Sequence, residues 1–468
     1  MSRQKELVKN TALLAVGKIS TQCISFFLLP LYTSMLETSE YGTFDLMITY
    51  GTLLLPLVNW QFDQGIFRFT LDCRGNREKQ SMLFSTMFAA SCIQCAVCIL
   101  LLLTVKAIWK FNNLFFLTGY VVVHVFTALL LQFVRGLGNN KLYAASSFLS
   151  ATSAIVLNVM MLAVFQTGLP GLFLATLLAQ VVTIIYLCRK VRPWNYFSFS
   201  NIDKEVFRTV REYSIPLIPN NLAWWVVNVS DRTIISYVLG ITFNGIYTVA
   251  NKFSNVFIQF YNIFNLSWTE TVSLHFEDSD RDLFFSDTIT TLYKLFSCVC
   301  FMIVSCIPFA FPILVHDKYA DAYAQIILLM YAMLMRVFVG LYSCVYIAMK
   351  DSKKVAETSI ISAVVNLLIN FVLISRIGLY AASVSTLISF GSMAVLRYID
   401  VNRKVQMKIK RNVLLSSAIV AVLLMITYYR NNPLLNSMIL LIVVFYSVIM
   451  NYGFLKSGYR LCLKILRK

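Results

Sequence analysis

The chain of 468 residues is 58% hydrophobic and only 13% charged, with a mean hydropathy of +0.71, more apolar surface than the core of a water-soluble domain can bury. Its net charge of +18 forms no basic stripe with interleaved aromatics, so nucleic acid is excluded as a partner and the charge is read against membrane topology. The eleven cysteines are scattered, with Cys92, Cys95 and Cys98 in one apolar stretch, and read as small packing residues rather than a metal cluster or disulfide framework.

From the amino terminus, MSRQKELVKNTALLAV has a basic start but no short apolar core ending in a small-residue cleavage site, so the first span is expected to be retained. Apolar stretches long enough to cross a hydrocarbon core of about 30 Å as helices lie at 11–36, 42–66, 81–105, 113–134, 143–166, 169–188, 213–239 and 245–274. Six more lie at 288–315, 323–348, 357–375, 378–396, 413–429 and 435–455. The chain is therefore expected to be an all-α integral membrane protein of about fourteen transmembrane helices.

Basic residues test that count, because one wrong span would swap the sides of every later loop. With the amino terminus cytoplasmic, the inner segments hold 30 Lys and Arg. The outer segments hold only Lys106, Lys110, Lys318, Arg376 and Arg430. Both termini are then cytoplasmic. The acidic inner loop HFEDSDRD is tolerable because Asp and Glu contribute little to this bias. The longest connection, RKVRPWNYFSFSNIDKEVFRTVREY, leaves no room for a soluble catalytic domain, and no cofactor or metal motif is present.

That basic segment falls where a chain of two six-helix halves needs a linker. Aligning Gly42 with Gly245 places Leu36 over Leu239, Thr33 over Ser236, Phe44 over Tyr247 and Tyr50 over Phe253. Halves of six helices share one orientation, a parallel repeat. The expected organisation is a first lobe at 1–190, a cytoplasmic linker loop at 191–212 and a second lobe at 213–400. Residues 401–468 supply two extra helices and a basic tail.

Charge at the centre of a membrane helix costs about 2.5–3.5 kcal/mol on insertion scales, so it marks a partner or a water-filled path. Lys18, Arg232, Lys252, Lys294 and Arg336 lie inside spans, together with Asp45, Asp231 and Glu270; Asp63 lies near an inner end. Lys18 and Lys294 are close enough to an inner end to snorkel. Arg336, midway along its span, is the sharpest candidate for a cavity residue. Asp45 or Asp231 either neutralises a neighbouring cation statically or serves the pathway. His124 is either a packed, hydrogen-bonded histidine or part of a proton relay. Pro30, Pro56, Pro216, Pro219, Pro308 and Pro312 punctuate the same spans and permit bends.

The run YSIPLIPNNLAWWVVNVSDRTIISYVLGITFNGIYTVANKF over residues 213–253 carries a Pro-x-x-Pro opening, the Asp231–Arg232 pair and Gly245, Tyr247, Ala250 and Lys252 in register. With LPLYTSMLETSEYGTFDLM in the first half, it resembles the polysaccharide flippases (Wzx-type, O-antigen and capsule) of the MOP superfamily. The resemblance implies two six-helix lobes around a cavity open alternately to each side. It implies as substrate an undecaprenyl-pyrophosphate-linked oligosaccharide moved to the outer leaflet of a bacterial inner membrane, coupled to a proton or sodium gradient. Glycan polymerase and chain-length regulator proteins are the implied partners.

On this reading Arg232, Lys252, Arg336 and Lys18 bind the anionic head and sugars, since Arg and Lys make charge-assisted bonds to phosphate. Asp45, Asp231, Glu270 and His124 are the candidates for the coupling ion. A multidrug exporter of the same superfamily, a lipid II flippase and a polyprenyl-dependent glycosyltransferase or polymerase are the alternatives. Five intramembrane cations argue against the first, and the lack of a sizeable outer loop argues against the last.

Overall fold

The computed structural model describes residues 26–108, 113–349, 351–453 and 456, and divides into two compact units, Met1–Gly245 and Ile246–Lys468. Lys18 and most of the first expected span lie outside the described residues. Every regular element described is helical.

The first unit contains α1 (Leu29–Met35), α2 (Thr38–Asn59), α3 (Phe62–Asp72), α4 (Arg77–Ile108), α5 (Leu114–Gly136), α6 (Asn140–Val159), α7 (Gly168–Val191), α8 (Lys204–Ser214) and α9 (Ile218–Val238). Helix α10 (Ile241–Leu274) begins in it and continues into the second unit. Glu37 and Glu40 open α2 with a capping box, in which each side chain satisfies a backbone N–H that the helix leaves orphaned. The expected span 42–66 stops earlier, at Asn59, because Trp60 and Gln61 both take left-handed backbone angles, with φ of 49° and 57°. The chain then turns into the short, separate helix α3. Asp203 caps α8 by accepting from the Val206 N–H at 2.8 Å.

Two apolar clusters hold this unit. Phe62, Phe84, Phe133, Leu187 and Val210 join α3, α4, α5, α7 and α8; Met47, Cys95, Phe116, Tyr120 and Phe173 join α2, α4, α5 and α7. Cys95 and Cys98 are buried in the second cluster as small apolar side chains. The segment expected to be a linker loop is folded onto α4. Ser81 donates to the Tyr196 carbonyl at 2.7 Å, Ser85 accepts from the Ser198 N–H at 2.9 Å, and Thr86 accepts from the Asp203 N–H at 3.0 Å. A loop so pinned loses its freedom to act as a flexible tether.

The second unit contains the rest of α10 and then α11 (Arg281–Leu314), α12 (Ala322–Ala348), α13 (Ser352–Ile377), α14 (Tyr380–Asn402), α15 (Arg411–Arg430) and α16 (Pro433–Met450). Helix α12 lies at its centre with most of its side chains buried. Small residues let α13 and α14 approach closely, Ser362 and Ser389 sitting 2.6 Å apart across the contact, as membrane helices commonly do. Helix α15 is joined to the unit by tyrosines. Tyr428 stacks on Tyr323 at 4.3 Å, and the Tyr331 hydroxyl donates to the Ala421 carbonyl at 2.7 Å.

Eleven described helices are long and apolar enough to cross a membrane. The long helices α9 and α10 are not among them. They carry Asn221, Asn228, Asp231 and Arg232, and Asn251, Lys252, Asn262 and Glu270, which depress their hydropathy below that of a lipid-facing span. Polar helices of this length persist in a bilayer where protein or water covers their polar faces.

Candidate functional site

Helices α2 and α9 meet along a ladder of polar contacts inside the first unit. Asn244, at the start of α10, donates to the Gly42 carbonyl at 2.8 Å. One turn further along α2, Asp45 Oδ2 lies 2.7 Å from Arg232 Nε. Another turn on, the Thr49 carbonyl accepts from Trp225 Nε1 at 3.1 Å, and beyond the helix end Gln61 accepts from Asn221 at 2.8 Å. Residue numbers rise along one helix as they fall along the other, so the two run antiparallel. Gly42, Asp45 and Thr49 share a face because helical spacings of three, four and seven return to the same side.

The Asp45–Arg232 contact is the charged centre of this ladder. Both side chains are largely withdrawn from solvent, at 17% and 14% exposure. The approach is close but off the alignment of a hydrogen bond, since neither atom completes one within the protein. It is an ion pair whose guanidinium keeps unused directional bonding capacity. Asp231, the next residue on α9, is buried.

His124 lies apart from that pair on α5. Its Nδ1 is 2.8 Å from the Tyr120 carbonyl, and its ring stacks on Tyr120 at 3.8 Å. The Tyr120 ring in turn fills the space opposite Gly51, where a Cβ would come within 2.4 Å of it.

In the second unit, Arg336 stands midway along α12 with its guanidinium 5.7 Å from the centre of the Phe390 ring on α14, within reach of a cation–π interaction. One turn away, Gly340 makes room for the Tyr261 side chain of α10, whose hydroxyl donates to Asn265 at 2.7 Å. Lys252 and Glu270 lie about five turns apart on one face of α10, the lysine half-buried and the glutamate exposed.

Arg397 falls just beyond the expected span 378–396, in a segment expected to be an inner loop. Helix α14 continues to Asn402, and Arg397 is fully buried inside it. Its Nε donates to Thr358 at 3.0 Å, its terminal nitrogens to the Val339 carbonyl at 3.2 Å, the Val355 carbonyl at 3.3 Å and Ser359 at 3.1 Å, and also to Ser343. One guanidinium thus ties α12, α13 and α14 together with neutral acceptors. The serines and threonine of TSIIS at 358–362 are the available sequence signal, since a buried guanidinium needs such acceptors at helical spacing.

A helical membrane protein that holds the Asp45–Arg232 pair, Arg336 and Arg397 among its helices has the architecture of a membrane transporter. Its fold is similar to that of a lipid II flippase, MurJ, in an inward closed conformation (TM-score 0.69, 13% identity, 95% of this chain and 100% of that one). It is also similar to a multidrug resistance MATE family transporter of the MOP superfamily in its inward-facing conformation (TM-score 0.67, 14% identity, 83% and 98%). A third likeness is to a MOP superfamily transporter from Pyrococcus furiosus described as having reversed binding-pocket polarity (TM-score 0.56, 14% identity, 85% and 95%). No curated protein matches the chain by sequence.

Residues 7–268 match the family described as polysaccharide biosynthesis protein. The chain belongs to that family, a flippase family of the MOP superfamily.

Proposed function

We propose that the chain flips an undecaprenyl-pyrophosphate-linked oligosaccharide from the cytoplasmic to the outer leaflet of a bacterial inner membrane by alternating access, with both termini cytoplasmic. Arg232 carries this reading, in a chain whose family is one of polysaccharide biosynthesis. A guanidinium withdrawn into the helices and held by one unaligned carboxylate is poised to exchange that partner for a phosphate, which it can grip with two parallel bonds.

In this reading Arg336, Lys252 and Lys18 receive the rest of the head group and the sugars, while the polyprenyl tail stays in lipid. Asp45, released from Arg232 when phosphate arrives, takes the coupling proton or sodium ion, with Asp231, Glu270 and His124 as the other candidates. A glycan polymerase and a chain-length regulator act on the product. A MATE-like exporter of organic cations is the second reading, and the excess of intramembrane Arg and Lys over Asp and Glu disfavours it. A lipid II flippase would differ in the sugars it accepts.

Deleting the gene in its own host tests the proposal. The expected result is loss of surface glycan, accumulation of the lipid-linked repeat unit on the inner leaflet and unchanged susceptibility to cationic drugs. Normal surface glycan with heightened drug susceptibility would favour the exporter instead.

A further inference from the structure

The first unit holds a cleft lined by none of the charged residues assigned above to substrate or coupling ion. It is a cavity of about 490 Å3 between α3, α4 and α8, within the size range of about 300–1,000 Å3 typical of small-ligand sites. Phe69, Met82, Leu83 and Val206 give it an apolar wall, and Lys79, Asp203 and Glu205 stand with it as charged groups.

Its depth in the membrane follows from α4. That helix has 32 residues, a length of about 48 Å at 1.5 Å per residue, well beyond a hydrocarbon core of about 30 Å. Lys79, Met82 and Leu83 lie in its first turns, at the level where head groups meet acyl chains. The neighbouring segment behaves as an interfacial element should. Helix α8 buries Val210 while exposing Lys204 and Arg208, and the aromatic rings of Trp194 and Phe199 are 59% and 80% exposed, as expected of side chains that lie among head groups.

The charges select the occupant. One ammonium and two carboxylates border the cleft, so a purely anionic head group would meet repulsion from Asp203 and Glu205. A zwitterion satisfies both signs, its phosphate at Lys79 and its cation at the carboxylates. Asp203 spends one oxygen on the Val206 N–H and keeps the other. A primary ammonium can donate hydrogen bonds to that oxygen and to Glu205, and a quaternary choline cannot. We propose that this cleft is a binding site for one ethanolamine phospholipid, its head group bridging Lys79 to Asp203 and Glu205 and the start of an acyl chain lying against Phe69, Met82 and Val206.

The experiment places the full-length protein in nanodiscs of matched-chain ethanolamine, choline and glycerol phospholipids, and reads retained lipid by native mass spectrometry. The expected result is enrichment of the ethanolamine lipid by about fivefold over bulk, the factor that one exposed ion pair supplies. Enrichment should vanish in the double variant Asp203→Asn, Glu205→Gln, where asparagine keeps the helix cap. It should vanish equally in Thr209→Trp, which fills the cleft from an exposed lining position. Cys73 also lines the cleft, and burial holds its thiol pKa above the usual value, so its alkylation is followed at mildly alkaline pH. Ethanolamine lipid should slow that alkylation relative to choline lipid in the parent protein and in neither variant. Preferential retention of the glycerol lipid, equal retention of the choline lipid, ethanolamine enrichment unchanged in both variants, or no protection of Cys73 would each overturn the assignment.

Discussion

Gly42 on α2 and Gly245 on α10 meet backbone to backbone: a Cβ built on Gly42 would fall 2.1 Å from the Ile241 carbonyl oxygen and 2.8 Å from the Gly245 nitrogen, and one on Gly245 2.0 Å from the Thr38 carbonyl oxygen. These are the two positions that the sequence alignment pairs, and both lie in the first unit. No side chain fits between them without parting the helices. Gly42→Ala is expected to destabilise the protein by about 1–3 kcal/mol, the usual cost of overpacking, and Gly42→Leu to prevent this contact altogether. Thermal unfolding in detergent should show a lowered Tm for the alanine variant; an unchanged Tm would mean that the contact is loose.

The Asp45–Arg232 pair makes a prediction about coupling between two sites. Removing one partner strands the other charge, a loss of about 3–5 kcal/mol where burial is complete and less here, while removing both is milder. Asp45→Asn and Arg232→Gln should each lower transport at least about tenfold, a change of roughly 1.4 kcal/mol. The double variant should recover stability without recovering transport. A double-mutant cycle on Tm, set beside flux, separates the two effects.

Arg397 is expected to matter for folding rather than for flux. Substituting methionine leaves the acceptors on Val339, Val355, Thr358 and Ser359 without their buried donor, at about 1–3 kcal/mol for each group left unsatisfied. The fraction of Arg397→Met recovered as monodisperse protein should fall sharply, while flux per folded molecule stays close to the parent value. Normal recovery with lost flux would instead assign Arg397 to the transport path.

Arg336→Ala carries the opposite expectation. The side chain is mid-helix and stacks beside Phe390, so its loss should leave the protein in the membrane and abolish surface glycan in cells. Glycan staining alongside a membrane-fraction blot measures both, and unimpaired export would remove Arg336 from the site.

The long apolar spans were legible because membrane helices announce themselves by length and composition. The parts that escaped depend on single residues or on tertiary contact. The break after Asn59 has no Gly or Pro to mark it, since Trp60 and Gln61 adopt the left-handed turn themselves. Arg397 falls one residue past the expected span 378–396 while the helix runs to Asn402, so in sequence a buried staple is indistinguishable from an inner-loop charge. The short helix α3 is masked because its first turn falls in the expected span 42–66, and α8 because it lies in a polar segment whose apolar face finds a partner only in the fold, such as Val210 against Gly65. Asp45 and Arg232 could each be recognised as misplaced in a membrane, and the sequence left open whether Asp45 served a static pair or the pathway. The fold brings the two within 2.7 Å of each other.

The central claim is translocation of a pyrophosphate-linked glycolipid through a path that uses Arg232. The most direct measurement reconstitutes purified protein into vesicles with a fluorescent undecaprenyl-pyrophosphate-linked oligosaccharide and follows the fraction that becomes accessible to a membrane-impermeant quencher or glycosidase on the opposite face. The account predicts transfer by the parent protein under an imposed proton or sodium gradient, and transfer at the rate of empty vesicles for Arg232→Gln. Transfer by the variant at the parent rate, or none by the folded parent protein under either gradient, would contradict it.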